Sequence, residues 1–243
     1  MGPGAGGHRP AHPIDSLAVD AMSKSGPDFD RIAVSYRMLE YLSFGRDLER
    51  ARFSLLPHLK DCRRILVLGE GDGRCLEQLV SVTPEAEIDC LDLSPKMLAL
   101  AQGRLGNSAV SIHFRQADIL TTNLPSRHYD AVITCFFLDC FDPEQVHHIV
   151  TRVTASLQPG ALWLWADFAL PAKGPARWRA KLWIAGLYAF FHWQTGLKNR
   201  SLPPSELLLK NAGFQPKTHF DFQVGLLRCV FFRSDLSMLL PAT

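Results

Sequence analysis

This chain lacks any C-x-x-C pair. Its six cysteines (Cys62, Cys75, Cys90, Cys135, Cys140 and Cys229) are scattered, which argues against a zinc or redox site, so no metal is expected. Several sit in apolar strand contexts and read as small core residues. That usage fits a reducing cytosol, and a cytoplasmic location is expected. A bias of charge is also missing: 26 Lys and Arg face 24 Asp and Glu, a formal net charge of +2. There is thus no electrostatic footprint for nucleic acid. No apolar run approaches the ~20 residues needed to span a bilayer. The longest, Leu182 to Phe191, is followed at once by His192. The N-terminus lacks the charged start and apolar run of a signal peptide. Up to about Pro27 it is rich in Gly, Pro, Ser and Ala with little periodicity, so residues 1–27 are expected to be flexible. Residues 28–243 are expected to form one domain with a sizeable core.

What is present centres on Arg64-Ile65-Leu66-Val67-Leu68-Gly69-Glu70-Gly71-Asp72-Gly73-Arg74. The apolar run reads as a strand buried on both faces. The glycines let the backbone turn and approach a ligand, because no Cβ intervenes. Arg74 to Val80 then reads as a helix whose N-terminal N–H groups face that ligand. This is the start of a nucleotide-type cofactor site. A dinucleotide fingerprint would be G-x-G-x-x-G. Here Arg74 stands where its last glycine belongs.

Four further segments continue the pattern. Glu87 to Leu93 reads as a strand ending in Asp92, 23 residues after Gly69, where a carboxylate can accept hydrogen bonds from ribose hydroxyls. Ser94 and Pro95 then suit the N-cap and first turn of a helix. Ala117-Asp118-Ile119 follows a short strand near Val110 to Phe114. Tyr129 to Phe137 reads as another strand, and Leu157-Gln158-Pro159-Gly160 as a turn into the next.

The order G-x-G-x-G, with these segments behind it, resembles the class I S-adenosylmethionine-dependent methyltransferases over roughly Phe29 to Phe214. The resemblance implies a Rossmann-like α/β fold, a mostly parallel seven-stranded sheet with helices on both faces and an antiparallel C-terminal strand. It implies S-adenosyl-L-methionine as cofactor and S-adenosyl-L-homocysteine as product. The implied cofactor-binding residues are Gly69, Glu70, Gly71 and Gly73, then Asp92 and Leu93 at the ribose. Ala117, Asp118 and Ile119 would lie at the adenine, and Cys135 and Phe136 near the methyl donor. Family members often carry an acid two residues before the first glycine, where this chain has Val67. Glu70 inside the loop either contacts the methionine end of the cofactor or points to solvent. Phe29 to Tyr36, with Ser43-Phe44-Gly45, is similar to the N-terminal lid of the quinone and menaquinone C-methyltransferase branch. There Tyr36 would lie near the cofactor.

The coarse pattern is strand 65–68, helix 74–82, strand 87–91, helix 95–104, strands 110–114 and 129–136, helix 143–156 and strand 161–168. Two strands, 216–222 and 226–233, follow. Such alternation implies a parallel sheet with ligands at its C-terminal strand ends. Residues 28–60 read as a helical lid. Residues 169–203 read as a helical insertion over an acceptor site, its core dense in aromatics from Trp178 to Trp193. Plain packing or a homodimer surface are the other uses of that helix.

Methyl transfer from a sulfonium is an in-line displacement in which the protein mainly holds the partners in position. A base is needed only when the acceptor must lose a proton. No N-P-P-Y or D-P-P-Y run follows the 129–136 strand, which argues against amide or nucleobase amine acceptors. Asp139 and His192 are the candidate catalytic residues, with Asp167 a third. The expected partner is a small aromatic or apolar acceptor, with no nucleic acid and no membrane span. The alternatives are a non-catalytic partner protein of the same fold and an NAD-dependent oxidoreductase.

Overall fold

Ile65 and Val67 enter one layer of buried side chains and Leu66 and Leu68 the other, so β1 (Arg64–Leu68) is apolar on both faces and sits mid-sheet. The computed structural model describes residues 44–106, 110–171, 173–195, 199 and 201–235. The other strands are β2 (Glu87–Asp92), β3 (Ser111–Gln116), β4 (Tyr129–Cys135), β5 (Leu157–Phe168), β6 (Phe214–Phe222) and β7 (Leu227–Ser234). They form one seven-stranded sheet in the order β3-β2-β1-β4-β5-β7-β6. The first five pair in parallel, and β7 runs antiparallel to both β5 and β6. This is the Rossmann-like sheet that the sequence implied.

The helices are α1 (Asp47–Phe53), α2 (Arg74–Val82), α3 (Pro95–Leu105), α4 (Pro143–Ser156), α5 (Pro175–Thr195) and α6 (Ser205–Asn211). The segment before β1 and helices α2 and α3 cover one face through Leu55, Leu59, Leu76, Leu79 and Leu98. The other face is covered from α4 and α6 by Val146, Ile149, Val153 and Leu209, against Trp163, Trp165 and Phe232 of the sheet. Ser94 accepts the Met97 amide at 3.1 Å with Pro95 behind it, so α3 starts where its cap dictates. Asp142 and Gln145 form a reciprocal capping box on α4.

Three details differ from the sequence reading. β5 begins at Leu157, not 161. Gln158-Pro159-Gly160 is a bulge inside the strand, because the pairing steps from Tyr129↔Leu157 to Ala131↔Leu162. Helix α6 went unread, since seven residues carry too little periodicity to register. The described part of the 28–60 segment is not one helix: α1 stops at Phe53, and a 3-10 turn with a proline in its first turn spans Leu56–Leu59. Residues 28–43 of that segment, Tyr36 included, lie outside the described residues. Among the described residues no helix is long and apolar enough to cross a membrane, and no cluster of His, Cys, Asp and Glu could hold a metal ion.

Candidate cofactor and acceptor site

β1 and β4 are neighbours, and the chain after β1 turns away from the chain after β4. That is the point where strand order reverses and where open α/β sheets bind ligands. Two loops line it: Gly69–Gly73 after β1, and Phe136–Asp139 after β4.

Gly69, Gly71 and Gly73 all have positive φ, of 65°, 71° and 87°. They differ in surroundings. A Cβ on Gly69 would fall 2.2 Å from the Phe137 ring, and one on Gly73 would fall 2.6 Å from the Ala101 Cα. These two glycines are demanded by the protein's own packing. Around Gly71 a Cβ would meet nothing within 4 Å, so that glycine borders open space. Gly73→Ala is therefore expected to cost about 2–4 kcal/mol, from left-handed strain and the collision with α3. Gly71→Ala should cost only the strain, about 1–2 kcal/mol. Urea unfolding of both variants measures the difference, and equal losses would refute the packing account.

The loop is bolted down by charge. Arg74 donates to Asp72 at 2.9 Å and to Glu49 of α1 at 2.8 Å. Arg104 of α3 donates to the Asp72 carboxylate at 3.2 Å and to its carbonyl at 2.9 Å. The residue that departs from the dinucleotide pattern thus ties the glycine loop to α1. Glu70 turns back, and its carboxylate accepts the Leu76 amide at 2.9 Å. It caps α2, whose N-cap glycine has no side chain to do so. Burial raises its pKa to about 7, against the lowering effect of that bond and of Arg52.

Asp92 ends β2 and reaches over the loop. It accepts Gly71 N–H at 3.3 Å and Ser94 N–H at 2.9 Å. Ser94, not Asp92, caps the helix. Ala117 donates to the Asp92 carbonyl at 3.1 Å, which draws the next loop alongside. There Asp118 accepts Leu120 N–H at 2.9 Å and closes its own turn, while Ile119 is buried in the core. Leu93 is half-buried and its carbonyl accepts from Gln116. The Cys135 thiol is hydrogen-bonded to Cys75 beneath the loop.

Phe136 holds φ at 53°, rare for a bulky residue and a sign of imposed geometry. Its ring lies 5.3 Å from Phe168, edge-on, and the Arg52 guanidinium sits 5.1 Å from its centroid. Phe44 is 5.5 Å from Phe168 and 5.9 Å from Trp183. An aromatic wall from four segments thus stands beside the ends of β4 and β5. Arg52, a buried cation, was not singled out in the sequence. Only its position after folding distinguishes it from other arginines.

Asp139 and Asp167 come together, as β4 and β5 are neighbours. Asp167 accepts Asp139 N–H at 3.2 Å and Phe168 N–H at 2.9 Å, and the two carboxyls share a hydrogen bond. Both are buried. Burial raises Asp139 to about 6 against hydrogen bonds that lower it. Burial, then repulsion from Asp139, raises Asp167 further, so Asp167 keeps the proton. Tyr188 of α5 donates to the Asp139 carbonyl at 3.0 Å, and Asn199 donates to the same oxygen at 3.0 Å. His192, one turn beyond Tyr188, is exposed.

The reversed strand order is that of the Rossmann-like fold of S-adenosylmethionine-dependent methyltransferases, and a G-x-G-x-G loop with open space at its middle glycine and an acid at the end of β2 stand at its switch point. Residues 65–160 match the family model described as a methyltransferase domain. It is 35% identical over 149 residues to the demethylmenaquinone methyltransferase of Thermus thermophilus, covering 60% of this chain and 66% of that protein. It is 31% identical over 150 residues to the ubiquinone/menaquinone biosynthesis C-methyltransferase UbiE of Syntrophotalea carbinolica, covering 60% and 62%. The chain thus spans just under two thirds of the length of these relatives. Among solved structures, the N-methyltransferase NodS of Bradyrhizobium japonicum with S-adenosyl-L-homocysteine superposes with a TM-score of 0.57 at 16% identity, covering 77% of this chain and 88% of that one. That likeness is one of fold.

Proposed function

We propose that the protein transfers a methyl group from S-adenosyl-L-methionine to a small aromatic or apolar acceptor by in-line displacement. The observation that carries the proposal is Asp92 reaching over open Gly71 at the switch point, next to a wall of Phe44, Phe136, Phe168 and Trp183. Two relatives named for quinone methylation support an acceptor of that class.

Asp92, with Leu93 beside it, would hold the ribose, Ala117, Asp118 and Ile119 the adenine, and Gly69, Gly71 and Gly73 would allow the backbone approach. Cys135 and Phe136 would line the methyl donor, and Tyr36 would close from the N-terminal segment. Glu70 would act through the N-terminus of α2. Arg52 would pair with the cofactor carboxylate. Bound cofactor supplies a methyl group already activated by positive sulfur. The protein's part is then orientation and exclusion of water. Asp139, ionised beside a protonated Asp167, would take a proton from an acceptor hydroxyl. We assign this role to Asp139 over His192 because the carboxyl is buried at the strand ends and the imidazole is exposed.

Calorimetric titration with S-adenosyl-L-homocysteine, with NAD in parallel, tests the cofactor. Micromolar binding of the former alone is the expected result. Binding of NAD alone would return the oxidoreductase reading. Methyl transfer to quinones and aromatic hydroxyls is then screened, and a cofactor-binding protein inert towards all of them would favour the non-catalytic reading. Arg52→Met should weaken S-adenosyl-L-homocysteine about tenfold or more, the worth of one charged hydrogen bond. It should leave 5′-methylthioadenosine, which lacks the amino-acid end, unchanged. Equal losses for both ligands would remove the carboxylate assignment.

A further inference from the structure

Helix α5 has two apolar faces. The inner one, Ala180, Ile184 and Tyr188, is buried against Phe44, Leu48, Leu226 and Leu227 over the site. The outer one, Trp178, Leu182, Ala189 and Trp193, repeats at the spacing that brings residues onto one side of a helix. Trp178 is 72% exposed, Leu182 71% and Trp193 75%. Exposed basic side chains flank this stripe, with Lys181 towards one edge and Arg179 towards the other. The Lys181 ammonium lies 5.9 Å from the Trp178 ring. Arg179 donates to the Gln223 carbonyl, which brings the turn after β6 beside the start of α5. That turn carries Val224, 69% exposed and held at φ 57°, against the preference of a β-branched residue. Between Asp167 and Glu206 the sequence has Lys173, Arg177, Arg179, Lys181, Lys198 and Arg200 and no acid at all.

We propose that the outer face of α5 docks on an anionic lipid surface, its tryptophans and Leu182 at the headgroup level and its basic edges on lipid phosphates. Tryptophan and leucine on one face with Lys and Arg at its borders is the composition of a helix that lies in a membrane interface without spanning it. Charge separates this occupant from a second copy of the chain. A two-fold contact would set the same stripe against itself. It would bring Arg179 and Lys181 of both copies together with no acid on the helix to offset them. The inner face of α5 covers the acceptor wall, so docking would place that wall one helix away from the lipid. This last consequence rests on the proposed acceptor class, whereas the docking does not.

The test is sedimentation of the full purified chain with vesicles of phosphatidylcholine alone, or with about one third phosphatidylglycerol. Binding to the anionic vesicles is expected, with at least tenfold weaker binding to the neutral ones. Trp178→Gln with Leu182→Gln, and separately Arg179→Glu with Lys181→Glu, should each lower anionic binding about tenfold. Their melting temperatures and S-adenosyl-L-homocysteine affinity should stay unchanged, which separates loss of docking from loss of fold. Absence of binding to anionic vesicles, or equal binding by the variants, overturns the proposal. So does a dimer in light scattering that Trp178→Gln dissolves, because the face then serves a second copy. No methyl transfer is measured, so failure here leaves the proposed reaction standing.

Discussion

Asp92→Ala is expected to weaken S-adenosyl-L-homocysteine binding about a hundredfold or more, with little change in melting temperature. Hydrogen bonds to a charged group contribute roughly 1.5–3 kcal/mol each, and a ribose offers two hydroxyls to one carboxylate. The fold should survive because the cap of α3 is Ser94 and the loop has its own anchors in Arg74 and Arg104. What Asp92 gives the free protein is orientation, through Gly71 and Ser94 amides at 3.3 and 2.9 Å. Asp92→Asn separates charge from shape: it should recover part of the affinity. Calorimetry on the three proteins decides the matter, and an unchanged Asp92→Ala would end the ribose assignment.

Asp139→Asn is the second large effect. With a hydroxyl acceptor, turnover should fall about a hundredfold or more, the usual worth of a positioned base. Cofactor affinity should hold, since Asp139 lies after β4 and not on the glycine loop. The pH dependence carries the sharper signature. Asp139 ionises at about 6, so wild-type turnover should decline as pH falls through 6, and that limb should vanish in the variant. Stability runs the other way. A carboxyl whose folded pKa is raised contributes stability that is fully present below about pH 4 and lost as pH rises through 6. The shift from 3.8 to about 6 corresponds to a contribution on the order of 3 kcal/mol. The ionised form that accepts a proton is thus the less stable one. Urea unfolding at pH 5 and pH 8 should show a drop in wild type and a smaller one in Asp139→Asn. A variant with full turnover and an unaltered pH profile would leave Asp139 a positioning residue only.

Much of this architecture is written in local patterns. Apolar alternation and its breaks set β1 to β4 and α2 to α4 close to their observed limits, because strand and helix periods differ and Ser94 and Asp142 mark where helices begin. The glycine spacing marked the loop after β1 as the candidate cofactor loop, since close backbone approach and positive φ favour glycine there. Where local signal was thin, the reading failed: α6 is too short, and Gln158-Pro159-Gly160 looks the same in sequence whether it precedes a strand or bulges within one.

The tertiary structure alone decided which distant residues meet. Asp139 and Asp167 are 28 positions apart and share a proton only because β5 lies next to β4. Arg74 finds Glu49, and Arg52 finds Phe136, across elements whose adjacency no periodicity encodes. The same holds for α5, whose aromatics read as one dense set until packing separated a face turned to the site from a face left outside. Sequence determined most of the elements and the glycine loop, because those depend on neighbours along the chain. The fold decided pairings, buried charge and exposed surface, because those depend on neighbours in space.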